Sequence, residues 1–139
     1  MDIHSILATH QAKNKRLKKQ STQGAPKIIL PSMAEIPDIF FDEILVKFKL
    51  NRIEIMALMY LYRHVWCRPN LYELYGIGQV LSHSALAEQL SVPLEDLHTS
   101  LRKLENLGFI QTIRSGQYFV RKYFTEEFDQ IYGHKYDEF

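Results

Sequence analysis

Apolar residues between positions 81 and 124 change their spacing twice, and each change marks an element boundary. Ser82 is placed to accept a hydrogen bond from a free amide of the first turn, so a helix is expected from His83 to Leu90, with Leu86 and Leu90 on one face. Ser91-Val92-Pro93 is short, and Pro93, with its fixed φ and missing amide hydrogen, fits only at the start of the next helix. From Leu94 the residues Leu97, Leu101, Leu104 and Leu107 recur at steps of four and three, one stripe facing a core. Gly108 then supplies the left-handed residue that ends the helix. Phe109, Ile110 and Ile113 open a strand, Arg114-Ser115-Gly116-Gln117 has turn chemistry, and Tyr118 to Phe124 is rich in aromatic and β-branched residues.

Upstream, Pro31 and Pro37 bracket the start of the folded part, and Asp38 is expected to cap a short helix from Ile39 to about Phe48. Asn51 with Glu54 three residues on is a reciprocal cap for a helix running to about Trp66. That helix is apolar on two faces: Ile53, Ala57, Leu61 and Val65 form one stripe, and Ile55, Met59, Tyr62 and Trp66 another. One stripe suits the core; the second is either core as well or a partner-binding face, which makes a homodimer a candidate. The connection from Cys67 to Val80 holds Pro69, Asn70, Gly76 and Gly78 among Leu71, Tyr72, Leu74 and Tyr75, and is expected to cover the domain as an apolar flap or to project as an arm that holds a partner. Thr125 with Glu126 and Glu127 reads as a last helix start, with Phe128, Ile131 and Tyr132 docking it.

The strings LSHSALAEQL (81–90) and LRKLENLGFI (101–110), with the turn between them, resemble the winged helix-turn-helix of many bacterial DNA-binding proteins. The resemblance covers about a third of the chain. It implies a mainly α fold with a small β-hairpin wing, a winged helix-turn-helix (α+β). Ile36-Pro37-Asp38-Ile39-Phe40-Phe41-Asp42-Glu43, followed by a helix containing Tyr60-Leu61-Tyr62-Arg63, is also similar to the amino-terminal domain of DnaD-like replication-organiser proteins of phages and plasmids. That likeness implies a DNA-binding module that self-associates.

Composition adds size and charge. With 139 residues and 46% hydrophobic content the chain can bury one core. The organisation expected is a basic flexible arm over residues 1–30 and a winged-helix domain over 31–139, with an extra helix at its start and a short one at its end. The net charge of +1 conceals an asymmetry. Residues 1–27 carry six of the 17 basic groups (Lys13, Lys15, Arg16, Lys18, Lys19 and Lys27) and one of the 16 acids, a net of +5, which leaves −4 for the remainder. A basic arm on an acidic domain fits non-specific attraction to a polyanion, because each neutralised phosphate releases a counterion. It also fits a solvated linker, or, through Ile3, Ile6, Leu7 and Leu17, a short helix that orders on a partner.

Cys67 is the single cysteine, so no internal disulfide framework exists, and residues 1–10 lack a basic stretch followed by an apolar core of signal-peptide length. A cytoplasmic location is expected. The histidines at 4, 10, 64, 83, 98 and 134 lack metal-ligand spacing, Gly76-Ile77-Gly78 opens no phosphate-binding helix, and no nucleophile-base pair stands out. The expectation is therefore a non-enzymatic protein without metal or cofactor.

The expected function is binding of double-stranded DNA, in replication initiation or transcriptional control. Its expected contacts are the arm residues Lys13, Lys15, Arg16, Lys18 and Lys19, the second-helix residues His98, Thr99 and Arg102, and the hairpin residues Arg114, Gln117 and Arg121. Glu95 and Asp96, at the start of that helix, repel phosphates, although a carboxylate can accept from cytosine. The alternative is a winged-helix adaptor that docks protein through Ile55, Met59, Tyr62, Trp66, Tyr72 and Tyr75.

Overall fold

The computed structural model describes residues 29–138, and every element below belongs to the unit Ala34–Phe139. The unit has a helix-rich α+β fold. A π-type turn, Phe40–Ile44, runs into α1 (Leu45–Phe48), followed by α2 (Arg52–Trp66), a 3-10 turn (Glu73–Tyr75), α3 (His83–Leu90), α4 (Leu94–Asn106), the antiparallel strands β1 (Ile110–Arg114) and β2 (Gln117–Val120), and α5 (Glu126–Ile131).

Local chemistry sets most of these boundaries. Asn51 Oδ1 accepts from Glu54 N at 2.8 Å while Glu54 Oε1 accepts from Asn51 N at 2.9 Å, closing the expected reciprocal cap of α2. Ser82 caps α3 through Ala85 N, and Thr125 caps α5 through Phe128 N. Pro93 stands at the N-cap of α4 and Gly108 takes a left-handed φ of 86° two residues beyond its end.

Three expectations are corrected. Asp38 does not cap the first helix: Ile39 occupies that position without any side-chain bond, and a wider turn follows, in which Leu45 N donates to Phe40 O. The second strand stops at Val120, because Phe124 turns left-handed (φ 71°) and seats its fully buried ring on Tyr62, with ring centroids 4.9 Å apart. A bulky side chain in that conformation costs about 1–2 kcal/mol, an amount burial of a phenyl ring can offset. The 67–80 connection is neither a flap nor an arm along its whole length. Asn70 Nδ2 donates to the carbonyls of Val65 and Ile77 and folds it back, after which Ile77 bridges antiparallel to Phe119. Gly78 N donates to Tyr118 O, Val120 N to Gly76 O, and Leu81 N to Gly116 O, so this segment lines the second edge of β2.

One core joins these parts. α2 packs on α4, and the buried Ala57, Leu58, Leu61, Tyr62 and Val65 meet Leu97, Leu101, Leu104, Phe109 and Val120, with Phe40, Ile44 and Phe124 closing the side nearest α1. The hairpin is short, and its tip is held down. A Cβ on Gly116 would collide with the carbonyl oxygen of Leu81, so only glycine permits that approach. Thr112 N, on β1, donates to Glu105 Oε1 of α4 at 2.8 Å.

Past the sheet, Asp129 gathers the carboxyl end of the unit. Its buried carboxylate accepts from Arg121 Nη1 (3.1 Å), Tyr123 N (3.0 Å) and Tyr136 Oη (2.7 Å). Tyr136 Oη in turn accepts from Lys122 N, and its ring packs on Phe119. Burial, more than any other influence, pushes the Tyr136 and Tyr62 phenols well above their ordinary values, so both remain protonated donors.

Candidate nucleic-acid interface

The face of α4 opposite its core carries three of the expected contacts, His98, Thr99 and Arg102. Leu97, Ser100, Leu101 and Leu104 are buried, whereas Glu95, Asp96, His98, Thr99 and Arg102 are exposed. At 100° per residue, Glu95 and Arg102 fall about 20° apart on the line diametrically opposite the buried stripe. Neither forms an ion pair with a described residue; Lys103, turned toward α2, is the α4 side chain that does, reaching Glu54 Oε2 at 3.5 Å. Thr99 Oγ1 donates to Glu95 O at 3.0 Å, which commits its hydroxyl proton to the helix.

Beside this line, α4 and the hairpin enclose a shallow cleft of about 150 Å³, lined by His98, Leu101, Arg102, Glu105, Thr112 and Tyr118. Its inner wall is a ring cluster that sequence reasoning missed, because its members lie far apart in the chain. His83 shares a hydrogen bond with the Tyr118 hydroxyl and meets His98 edge-to-face, with ring centroids 4.9 Å apart. Burial, and then the neighbouring His98, lowers the His83 imidazole below its ordinary value, while burial and the nearby Glu105 raise the Tyr118 phenol. The His83 imidazole and the Tyr118 phenol are therefore both uncharged near pH 7, between the charged side chains of Arg102 and Glu105 that share the cleft.

The hairpin residues divide. Arg114 is exposed, its Nε donating to Gln117 Oε1 at 2.9 Å. Gln117 is buried, a correction to its expected surface role: its amide nitrogen donates to Gly78 O at 3.0 Å, tying β2 to the preceding segment. Arg121 is corrected likewise. Its guanidinium bonds Asp129 and Gly108 O and lies 5.3 Å from the Phe119 ring centroid, so it serves the fold. Lys13, Lys15, Arg16, Lys18 and Lys19 lie outside the described residues.

The residues expected to hold a protein partner also separate. Tyr62 is 2% exposed and donates to Lys122 O, so it belongs to the core, and the second stripe of α2 is not an open face. Trp66 is half-buried, with Nε1 donating to Val120 O at 3.1 Å, and the His134 ring meets it edge-on. Ile55 and Met59 are half-buried, and Met59 lines an apolar cleft of about 350 Å³ with Met56, Tyr60 and Leu90. Tyr72 and Tyr75 are half-buried too, whereas Leu71 and Leu74 of the same loop are exposed.

Among the described residues no helix is long and apolar enough to cross a membrane, and no three His, Cys, Asp or Glu side chains converge as a metal set. No protein-family model, curated protein or solved structure matches this chain.

Proposed function

We propose that this chain is a winged-helix protein that binds double-stranded DNA, with no catalytic activity of its own. In this reading α3 and α4 are the helix-turn-helix, β1 and β2 with the Ile77 bridge are the wing sheet, and α4 enters the major groove. One observation carries it: α4 turns an unpaired polar line, Glu95 to Arg102, directly away from the core, beside an exposed arginine at the hairpin. Short polar and charged side chains held on a rigid helix are what base edges and phosphates require.

The described domain has 11 basic groups against 15 acids, a net of −4, so the phosphate attraction is assigned to the arm, with Arg114 as a local contact. Titration of a labelled duplex by fluorescence anisotropy, at several salt concentrations, tests this with the full chain and with residues 1–27 deleted. Deletion should weaken binding and flatten its salt dependence, by about 0.9 in log-log slope per lost phosphate contact. Absence of binding by the full chain removes the reading.

Leu71 and Leu74, 86% and 70% exposed, favour the adaptor alternative, since a lone loop seldom presents two such side chains to water without a partner. In that case duplex titrations are flat, and Leu71→Ser with Leu74→Ser abolishes partner capture.

A further inference from the structure

We propose that the outward line of α4 reads G·C base pairs, Glu95 accepting from a cytosine N4 amino group and Arg102 donating both arms of its guanidinium to a guanine about three base pairs away. The inference rests on the DNA-binding reading above and adds its sequence class.

The chemistry follows from which side chains are available. Glu95 offers only acceptors and Arg102 only donors. In the major groove, donor groups are presented by cytosine N4 and adenine N6, but adenine sets its N7 acceptor beside N6, and that lone pair repels a carboxylate. Cytosine has no such neighbour. Guanine places two acceptors, O6 and N7, side by side, which matches the guanidinium fork; adenine offers one acceptor and one donor there, so one arm of the fork would meet another donor. An A·T pair offers neither the paired acceptors that fit the guanidinium fork nor an amino donor without an acceptor beside it on the same base.

Geometry sets the spacing. Glu95 and Arg102 are seven residues apart, two helical turns, and lie on one line facing away from Leu97, Leu101 and Leu104. At 1.5 Å per residue that is about 10 Å, three base-pair steps of about 3.4 Å. Between them the Thr99 hydroxyl gives its proton to Glu95 O, so it can meet a base edge only as an acceptor. Both charged groups have no ion-pair partner within the described residues, so neither must break a contact to reach DNA. The acidic group also repels the phosphates of any duplex that gives it no donor, which makes a mismatched site worse than neutral.

Each pairing should discriminate by about 5- to 150-fold against the wrong base. The test is selection of bound duplexes from a randomised pool by the full-length protein, followed by sequencing and by anisotropy titration of the selected duplex. The expected motif fixes a cytosine and a guanine about three positions apart. Glu95→Gln should replace the cytosine by adenine, whose N6 and N7 match a carboxamide. Arg102→Ala should leave the guanine position unspecified while the cytosine stays fixed, because no donor then reaches O6 and N7.

A motif of A·T pairs, a motif unchanged in both variants, or duplex binding without any motif overturns the proposal and leaves DNA binding standing. Failure of the wild-type chain to retain any duplex overturns both.

Discussion

Replacing Asp129 by alanine should destabilise the domain more than any other single change at a polar residue. The carboxylate holds Arg121 Nη1, Tyr123 N and Tyr136 Oη at 3.1, 3.0 and 2.7 Å, and its own side chain is 5% exposed. Removing one partner of a buried ion pair costs about 3–5 kcal/mol, since the other charge is left uncompensated. The Arg121 side chain is 24% exposed, so water can partly replace the lost acceptor and the low end of that range applies. The two neutral donors add to it, since a stranded donor costs about 1–3 kcal/mol where water cannot reach it. The expected loss is about 3–4 kcal/mol in urea denaturation, or roughly 12 °C in melting temperature for a domain of this size. Asp129→Asn should give little rescue, because whichever way the amide sits, its N–H₂ points at a donor. A loss below about 1 kcal/mol for Asp129→Ala would refute the reasoning and show that the carboxyl end of the unit is held by ring packing alone.

Three further expectations follow from the same structure. Leu101→Ala, at the α2–α4 contact, should cost about 2–5 kcal/mol by lost burial and cavity formation, read from thermal melts. Tyr62→Phe should cost about 1–2 kcal/mol by stranding Lys122 O, whereas Tyr62→Glu should unfold the domain by circular dichroism, in place of the folded, dissociated state that an open stripe would give. His83 and His134 are both held below their ordinary imidazole values, by burial first and then by His98 and by Lys122 respectively. The unfolded chain therefore binds protons more readily than the folded one: stability is complete above about pH 6.5 and is lost as pH falls through the depressed values, and a double His83→Gln, His134→Gln variant should flatten that slope in pH-dependent melts.

The parts of the molecule that were legible in the sequence are those whose hydrogen bonds close within a few residues. Asn51 with Glu54, Ser82 with Ala85, and Thr125 with Phe128 each satisfy a helix end three residues away, and the stripe Leu97, Leu101, Leu104 needs only helical periodicity to be seen. What escaped depends on distant partners. Gln117 looks like a turn residue until Gly78 arrives to accept its amide; Arg121 looks like a surface cation until Asp129 folds beneath it. Tyr62 presents the same difficulty, since its stripe is apolar whether Phe124 or a second molecule covers it. The outward polar line of α4 was visible, because it is the complement of the buried stripe, but the ring cluster of His83, His98 and Tyr118 behind it was not.

The bond from Glu105 to Thr112 N has a consequence for life at high concentration. Among the described residues β2 has neighbours on both sides, while β1 is the sheet's open border, a row of amides and carbonyls that would accept a strand from another molecule. Glu105 sits on that border with its carboxylate on one of the amides, so an incoming backbone must first displace a charged acceptor. A single glutamate near the end of α4 thereby raises the cost of the shortest route by which this sheet could template its own growth into aggregates.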